Sequence, residues 1–319
     1  MRQRRILNNI LIIAVGGIGD GMWCMPFAKA LRIKYPKSTI LIACNERSMP
    51  IWHGVPFANL CVKDEFWNMQ ALIRNADEVY DFGGIATTMK NEMKLDPVEA
   101  IFKIGDLPLP KDKKDCRPQL VVTIDEGKKA EALLRRHGVN CKTDKIISIG
   151  LESSTSNRNW PFDYTKELTR KLIAKGFKVL WFGESADYET RFLDDATNEI
   201  GAINLVKKTT LRDAMAIIAL SDVFVGPGSG LMCIATALEI PTVGLWGAFN
   251  PKSRDKFYTK FIGLWHKIEC APCNEHWTEC PKGHPSPCMK VISADEVLAA
   301  TLKLHSLYPR SSLEKLPIE

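Results

Sequence analysis

Residues Val225–Trp246, VGPGSGLMCIATALEIPTVGLW, decide the fold. The stretch predicts the end of a buried strand, a turn of Gly, Pro and Ser, an apolar helix and a second buried strand. Such a turn leaves backbone N–H groups unpaired at the start of the helix, where the helix dipole is positive. Because phosphate and diphosphate groups bind at helix starts of this kind, the stretch predicts a phosphate-binding turn in the second half of the chain.

A second glycine-rich turn, Gly16–Asp20, follows the apolar run Ile10–Val15 in the first half of the chain. One glycine turn in each half is what a two-domain enzyme acting on a nucleotide-linked substrate would need. The pair therefore indicates function more strongly than either turn does alone.

Working outward from the two turns, apolar strands alternate with helices along the whole chain. The predicted strands are Ile10–Val15, Thr39–Ala43, Glu78–Phe82, Leu120–Ile124, Lys145–Leu151, Lys178–Phe182, Val223–Val225 and Thr242–Trp246. The predicted helices are Met22–Lys34, Phe66–Ala76, Glu126–His137, Asp163–Lys175, Tyr188–Glu199, Leu211–Ala219 and Ser293–His305. This alternation is typical of α/β proteins with doubly wound parallel sheets. We place the linker near Gly138–Asp144, which gives domains of residues 1–142 and 143–319.

Composition narrows the class of protein. The 319 residues suit two domains, and 45% hydrophobic with 25% charged residues is ordinary for a globular protein. The apolar run near the N-terminus ends in an acidic glycine turn rather than a small-residue cleavage site, so we expect a strand and a cytoplasmic protein. The net charge of +6 fits a solvated basic surface or a peripheral contact with the inner membrane. The sequence has no stripe of basic residues interleaved with aromatic ones, so we expect no nucleic-acid binding.

Four patches, in order, resemble glycosyltransferase family 9, which contains the lipopolysaccharide heptosyltransferases. They are Gly16–Asp20 with Tyr35-Pro36, Ser153–Pro161 (SSTSNRNWP), Lys208–Leu211 with Gly226–Leu238, and Cys270–Met289. The resemblance implies a GT-B architecture, in which two Rossmann-like domains face a central cleft. It places the acceptor side in the N-terminal domain and the nucleotide sugar in the C-terminal domain. The activity implied is inverting transfer of a heptose-like sugar from a nucleoside diphosphate sugar, similar to ADP-heptose, to a glycan, lipid or protein hydroxyl, as in lipopolysaccharide biosynthesis.

Glycosyl transfer needs a base for the acceptor hydroxyl and positive charge for the departing diphosphate. Asp20 ends a glycine turn at the mouth of a parallel sheet, where ligand clefts form. The resemblance implies that Asp20 is the catalytic base. The alternative is that Asp20 caps the helix that begins at Gly21, because Asp is a favoured N-cap residue.

Arg158 matches the basic phosphate contact of the family, and a guanidinium can form a paired hydrogen bond with a diphosphate. Without the motif it would be an ordinary surface arginine. Glu184 lies where the family often contacts the nucleoside, and a free surface carboxylate is the alternative. Trp160 is expected to fix the loop. The remaining residues assigned to donor binding are Gly17, Gly19, Ser153, Ser154, Ser229, Gly230 and Leu231.

Two positions depart from the family pattern. Gly228 replaces the usual Asp, and Cys233 replaces a His that would donate near the diphosphate. Ser229 and the N–H groups that follow it can still hold phosphate. The departures leave open a non-catalytic protein of the same fold that binds nucleotide sugars or carbohydrates. A nucleotide-dependent oxidoreductase that uses Gly17–Gly21 as a dinucleotide turn is disfavoured, because Met22 stands where G-x-G-x-x-G requires its last glycine.

The final patch contains Cys270, Cys273, Cys280 and Cys288, spaced C-x2-C-x6-C-x7-C, which resembles the bacterial protein O-heptosyltransferases. Four thiolates with a leading C-x2-C suit a tetrahedral zinc or iron site that would fold residues 270–288, here called the Cys-rich loop. His276 and His284 are alternative ligands. Two disulfides or free thiols are the other interpretations. No metal is expected to take part in the chemistry.

Overall fold

The computed structural model describes residues 7–83, 95–184, 190–275 and 279–310. The chain divides into two compact units, Met1–Val121 and Val122–Glu319. Each unit is an α/β structure built on its own parallel sheet, as the sequence predicts. None of the helices in these described ranges is long and apolar enough to cross a membrane.

The first unit has a four-stranded sheet in the order β3-β2-β1-β4, with every neighbouring pair parallel. Its strands are β1 (Asn9–Ile13), β2 (Thr39–Cys44), β3 (Leu60–Lys63) and β4 (Glu78–Asp81). Its described helices are α1 (Ile18–Trp23), α2 (Met25–Lys34), α3 (Phe66–Asn75) and α4 (Pro97–Ile104). On one face, Phe27 of α2 packs edge-on against Phe82 and Phe102, which fixes α2 and α4 against the sheet.

The second unit has a six-stranded parallel sheet in the order β10-β9-β8-β5-β6-β7. Its strands are β5 (Lys145–Gly150), β6 (Phe177–Phe182), β7 (Ile203–Asn204), β8 (Val223–Pro227), β9 (Thr242–Leu245) and β10 (Phe261–Leu264). Its helices are α5 (Ile124–Arg136), α6 (Phe162–Ala174), α7 (Thr190–Ile200), α8 (Leu211–Ile218), α9 (Gly230–Ala237), α10 (Pro287–Lys290) and α11 (Ala294–Leu307). The strand order reverses between β5 and β8, and ligands of such sheets bind beyond the carboxyl ends of strands at this reversal.

The stretch that decides the fold forms the centre of this unit. All five residues of β8 and all four of β9 are buried, because helices cover both faces of the sheet. Gly226 of β8 lies beside Gly244 of β9 in the parallel register. The helix between them, α9, begins directly after the Gly228-Ser229 turn, as predicted.

One predicted strand was wrong. Residues 120–123 form no strand, and α5 begins at Ile124. The Thr123 hydroxyl accepts a hydrogen bond from the Glu126 N–H while the Glu126 carboxylate accepts from the Thr123 N–H, so a capping box starts a helix there. The strands β3, β7 and β10 and the helices α4 and α10 were not predicted, and the single predicted helix Met22–Lys34 is divided into α1 and α2.

The division between the two units falls before α5, whereas the predicted linker Gly138–Asp144 follows it. The reason is that α5 packs against α8 of the second unit. Arg212 of α8 donates to both carboxylate oxygens of Glu126 in α5, which ties the two helices together. The assignment of acceptor and donor roles to the two units stays a prediction.

Candidate active site

The first glycine turn holds a carboxylate at the start of α1. Asp20 is the third residue of α1, and its Oδ2 accepts a hydrogen bond from the Gly17 N–H at 2.6 Å. A Cβ on Gly16 would lie 2.6 Å from the same oxygen, and Gly16 has a positive φ of 153°. Only glycine fits this position, so the turn is shaped around the Asp20 carboxylate.

Two neighbouring side chains fix the turn. The Asn45 side-chain amide, directly after β2, donates to the Gly16 carbonyl and accepts from the Ser48 N–H at 3.0 Å. The Cys24 thiol donates to the Asp20 carbonyl at 3.3 Å. Burial and then the charge of Asp20 raise the pKa of the Cys24 thiol far above its usual range. Cys24 is therefore a neutral packing residue, and Asn45 is a positioning residue that sequence reasoning missed.

Beside Gly21, the residue that follows Asp20, lies a pair of buried polar groups. Ser48 Cβ and Trp52 Nε1 each lie 3.7 Å from the position that a Cβ on Gly21 would occupy. Within the described ranges, neither the Ser48 hydroxyl nor the Trp52 indole N–H has a hydrogen-bond partner. Buried polar groups without partners are uncommon and often mark a place where a polar ligand or water binds.

The second unit brings Arg158 to the second glycine turn. The Arg158 guanidinium donates to the Gly228 carbonyl at 2.6 Å, to the Ser154 hydroxyl at 2.8 Å and to Thr155 Oγ1 at 2.8 Å. Ser154 and Arg158 follow β5, whereas Gly228 follows β8. The Arg158 guanidinium therefore lies against the turn that leads to the predicted donor residues Ser229 and Gly230, at the strand-order reversal.

The other residues of this loop fix its shape. The Ser153 hydroxyl donates to the Thr155 carbonyl at 2.7 Å, and the Ser153 N–H donates to Asn159 Oδ1 at 2.8 Å. Trp160, buried, donates from Nε1 to the Ile292 carbonyl at 2.9 Å, so it fixes the loop as expected. The Ser153 hydroxyl is thus used inside the loop, while Ser154 is exposed beside Arg158.

The second glycine turn leaves polar groups unused. Ser229 is the N-cap of α9, yet its side chain makes no capping hydrogen bond, and its buried Oγ has no partner among the described residues. Gly230 and Leu231 follow it in the first turn of α9, where N–H groups have no intrahelical acceptor. The indole N–H of Trp246, a residue 4% exposed, also lacks a partner within the described part of the chain. Sequence reasoning did not single out Trp246.

The two departures from the family pattern are packed into the same region. A Cβ on Gly228 would lie 2.7 Å from the six-membered ring of Trp246, so no larger residue fits there unless Trp246 moves. Cys233 is buried, and its Sγ lies 3.5 Å from the Tyr258 hydroxyl. Trp246 and Tyr258 are therefore the neighbours against which these two smaller residues pack.

Glu184, the candidate nucleoside contact, is exposed just after β6. Its N–H donates to Glu152 Oε1 at 2.6 Å, so a second carboxylate lies beside it at the carboxyl ends of β5 and β6. A Cβ on Gly183 would lie 2.9 Å from the same Glu152 oxygen. Glu152 holds the backbone at Glu184, and sequence reasoning did not single it out.

Cys288 lies within electrostatic reach of the other three cysteines of the Cys-rich loop. Burial, and then the charges of Cys270, Cys273 and Cys280, raise the pKa of Cys288 to about 11. Cys288 is buried, whereas Cys273 is exposed. Among residues 7–83, 95–184, 190–275 and 279–310, no three His, Cys, Asp or Glu side chains have an arrangement that could hold a metal ion. His284 is exposed, and His276 lies outside the described residues.

The model of glycosyltransferase family 9 (heptosyltransferase) matches residues 89–284, which include the Arg158 loop, the second glycine turn and most of the Cys-rich loop. The chain belongs to this family. Lipooligosaccharide heptosyltransferase 2 of Haemophilus influenzae is 30% identical over 297 residues, which cover 76% of this chain and 84% of that protein. Lipopolysaccharide heptosyltransferase 2 of Salmonella typhimurium is 36% identical over 104 residues. That match spans 30% of this chain and only 28% of the relative's length.

Solved structures of glycosyltransferases share the fold. ADP-heptose lps heptosyltransferase II of Escherichia coli superimposes with a TM-score of 0.71 at 20% identity, covering 94% of this chain and 99% of that chain. The iron-containing dodecameric glycosyltransferase TibC of enterotoxigenic Escherichia coli gives a TM-score of 0.67 at 17% identity, covering 94% of this chain and 77% of that chain. The predicted GT-B fold class is thereby confirmed.

Proposed function

We propose that this protein is an inverting glycosyltransferase that moves a heptose-like sugar from a nucleoside diphosphate sugar, of the ADP-heptose kind, to a hydroxyl of a glycan, lipid or protein. The proposal is based on the hydrogen bond from Arg158 to the Gly228 carbonyl, which places the guanidinium beside the second glycine turn at the carboxyl ends of β5 and β8. A fixed cation beside a helix start is suited to a diphosphate. The relatives named above are heptosyltransferases, which supports this donor class.

In the proposed donor site, the diphosphate lies at the start of α9. The N–H groups of Gly230 and Leu231 and the Ser229 hydroxyl donate to its oxygens, and Arg158 provides the positive charge. Ser154, exposed beside Arg158, is a further donor, and Ser153 shapes the loop that holds both residues. As the bond from the anomeric carbon to the diphosphate breaks, these groups stabilise the charge that develops on the leaving oxygen.

In the proposed acceptor reaction, the acceptor hydroxyl attacks the anomeric carbon from the face opposite the diphosphate, and Asp20 takes its proton. Inversion follows, because one displacement exchanges the oxygen on one face for an oxygen on the other. The hydrogen bond from the Gly17 N–H keeps the Asp20 carboxylate fixed in the turn. Since that N–H is donated to Asp20, we assign the Gly17–Gly19 turn to holding the base rather than the donor.

A metal is a separate proposal, confined to folding of the Cys-rich loop. We propose that Cys270, Cys273, Cys280 and Cys288 bind one zinc or iron ion as thiolates. The described structure does not arrange these thiols as a metal site, so the proposal is based on their spacing, C-x2-C-x6-C-x7-C, and on a structural neighbour, TibC, that is iron-containing. No step of the transfer reaction uses this ion.

Thermal unfolding with ADP, GDP, UDP, CMP and NAD tests the donor class, because a ligand that binds the folded protein raises its stability. We expect ADP to raise the midpoint temperature and NAD to have no effect. Turnover of the matching nucleotide sugar then separates an enzyme from a binding protein. Stabilisation by NAD alone would contradict the proposal, and so would ADP binding with no transfer to any glycan, lipid or protein acceptor.

Metal analysis of protein purified without chelators tests the cysteine assignment. We expect close to one equivalent of zinc or iron, lost in the double variant Cys270→Ser/Cys273→Ser. Cys141, which lies outside the Cys-rich loop, is the matched control, and Cys141→Ser should keep the metal. Less than about a tenth of an equivalent in the unaltered protein would reject the site, since a closed four-thiolate site binds its metal tightly.

A further inference from the structure

Asn157, the residue before Arg158, connects the donor-site loop to the Cys-rich loop. Asn157 is 2% exposed, and its Nδ2 donates to the Glu275 carbonyl at 2.9 Å. Glu275 lies between Cys273 and Cys280 in the sequence. This hydrogen bond joins residues 118 positions apart, so it is a tertiary contact rather than a feature of the local turn.

The chemistry of this contact fixes the orientation of Asn157. A carbonyl can only accept, so the Asn157 amide must present its NH₂ group to Glu275. Its Oδ1 is buried and has no partner within the described ranges. The hydrogen bond to the Glu275 carbonyl therefore holds the Asn157 side chain in place. Because Arg158 is the next residue, this hydrogen bond also fixes the backbone position of Arg158.

The Cys-rich loop is also attached to the segment that follows β9. The Asn274 N–H donates to the Ala248 carbonyl at 2.8 Å. A Cβ on Gly247 would lie 2.8 Å from Cys288 Sγ, so this backbone and Cys288 are in close contact. Gly247 directly follows Trp246, whose ring packs against Gly228. The loop thus contacts both segments that border the second glycine turn.

We propose that the Cys-rich loop acts as a positioning element for donor binding, and that Asn157 is the positioning residue that connects it to Arg158. This inference rests on the proposed function, because it assigns a role in holding the donor diphosphate. When the Cys-rich loop is ordered, Asn157 holds the Arg158 loop in the geometry that binds a diphosphate. When the Cys-rich loop is loosened, Arg158 loses that fixed position and donor affinity falls.

Calorimetric titration with ADP tests the role of Asn157. We expect Asn157→Ala to weaken ADP binding about five- to tenfold, the order expected when one buried hydrogen bond is lost. The matched control is Asn204→Ala, which removes a second buried Asn whose Nδ2 donates to Asp194 Oδ1 at 2.8 Å on the edge strand β7. We expect the control to lower thermal stability while ADP affinity changes less than twofold. Equal loss of affinity in both variants would overturn the proposal, because it would indicate general damage to the second unit.

A double-mutant cycle tests the connection itself. Cys273 is exposed, so Cys273→Ser changes the Cys-rich loop without removing core packing. We expect Cys273→Ser to weaken ADP binding in the unaltered protein and to have little further effect in the Asn157→Ala background. Effects that multiply in the double variant would show that the two residues act independently, and would overturn the proposal.

Hydrogen exchange without ligand separates failure of this inference from failure of the proposed function. We expect faster exchange at backbone amides of residues 153–160 in both Asn157→Ala and Cys273→Ser. If exchange is faster in both variants but the unaltered protein does not bind ADP, the proposed donor is rejected. The role of the Cys-rich loop in donor binding is then rejected with it. ADP binding with unchanged exchange in both variants would reject the inference and leave the proposed function standing.

Discussion

The two turns are both rich in glycine, but the charged groups beside them have opposite sign. In the first unit, the Asp20 carboxylate accepts the Gly17 N–H, so an acidic group already occupies the start of α1. In the second unit, Ser229 occupies the N-cap of α9 without using its hydroxyl, and Arg158 lies beside the turn. A phosphate would be repelled by the first turn and attracted by the second.

This difference teaches that glycine content alone does not define a phosphate site. Glycine at Gly16 makes room for the chain's own carboxylate, and glycine at Gly228 makes room for Trp246. What separates the two turns is the charge placed beside the helix start. We therefore expect the first turn to provide a base and the second to hold the diphosphate, and each prediction below tests that division of roles.

The largest effect is expected on turnover, when Asp20, the proposed base, is replaced. Asp20→Asn keeps a side chain of the same shape that can still accept the Gly17 N–H, but it cannot take a proton. We expect kcat to fall by about 10²–10⁴-fold while the Kd of ADP changes less than twofold. Steady-state kinetics and calorimetry on the same preparation measure both values. Turnover close to that of the unaltered protein would remove Asp20 from the mechanism.

The next largest effect is expected on ADP binding, when the positive charge of Arg158 is removed. Arg158→Ala removes a guanidinium from the proposed diphosphate site, and we expect ADP binding to weaken on the order of 100-fold, as for loss of charged hydrogen bonds. Arg170→Ala is the matched control, because Arg170 pairs with Glu199 on the exposed surface of α6 and α7. We expect the control to bind ADP normally. Normal binding by Arg158→Ala would place the donor elsewhere.

A third effect concerns stability and should leave both turns unaffected. Hydrogen bonds from Arg212, the first of several causes, lower the pKa of Glu126 to about 2 from an ordinary 4.5. The pair is therefore fully stabilising above about pH 4.5, and this stabilisation is lost as pH falls through the folded-state pKa.

We expect Glu126→Gln to lower the free energy of unfolding by about 2 kcal/mol at pH 7, with the difference shrinking towards pH 2. Denaturant titrations between pH 7 and pH 2 measure this difference. ADP affinity at pH 7 should stay within twofold of the unaltered protein, since Glu126 lies in α5 rather than beside a glycine turn. A difference in stability independent of pH would show that the ion pair is not its cause.

The smallest effect compares two N-cap serines. Ser293 caps α11 with its hydroxyl, which accepts from the Glu296 N–H at 3.2 Å, whereas Ser229 makes no capping bond. We expect Ser293→Ala to destabilise the protein by about 1 kcal/mol and to leave ADP binding unchanged. Ser229→Ala should leave stability unchanged and weaken ADP binding about threefold. A stability loss in Ser229→Ala equal to that in Ser293→Ala would mean that Ser229 is an ordinary cap.

Much of the fold could be predicted because its strands are unbroken apolar runs. The runs at β1, β5 and β8 are buried in the sheets and stand out in the sequence. The error at residues 120–124 arose because apolar residues precede Thr123, and the capping box with Glu126 outweighs their strand propensity. The short strands β7 and β10 depend on pairing with neighbours that are distant in sequence.

The site was predictable where a motif places residues close together in the chain. Arg158 and Ser229 belong to such motifs, although only the fold brings Arg158 to the Gly228 carbonyl next to Ser229. Asn157 and Trp246 could not be found this way, because each acts through a partner far away in the sequence. Asn45 offered one weak signal, an amide directly after a buried strand at the edge where sites form.

Hydrogen exchange at the two turns, with and without ADP, tests the central claim most directly. The account predicts that ADP slows exchange at backbone amides of residues 228–232 and leaves residues 16–20 unchanged, because the diphosphate binds the second turn and Asp20 excludes it from the first. Slower exchange at residues 16–20, or at neither turn despite saturating ADP, would contradict the account.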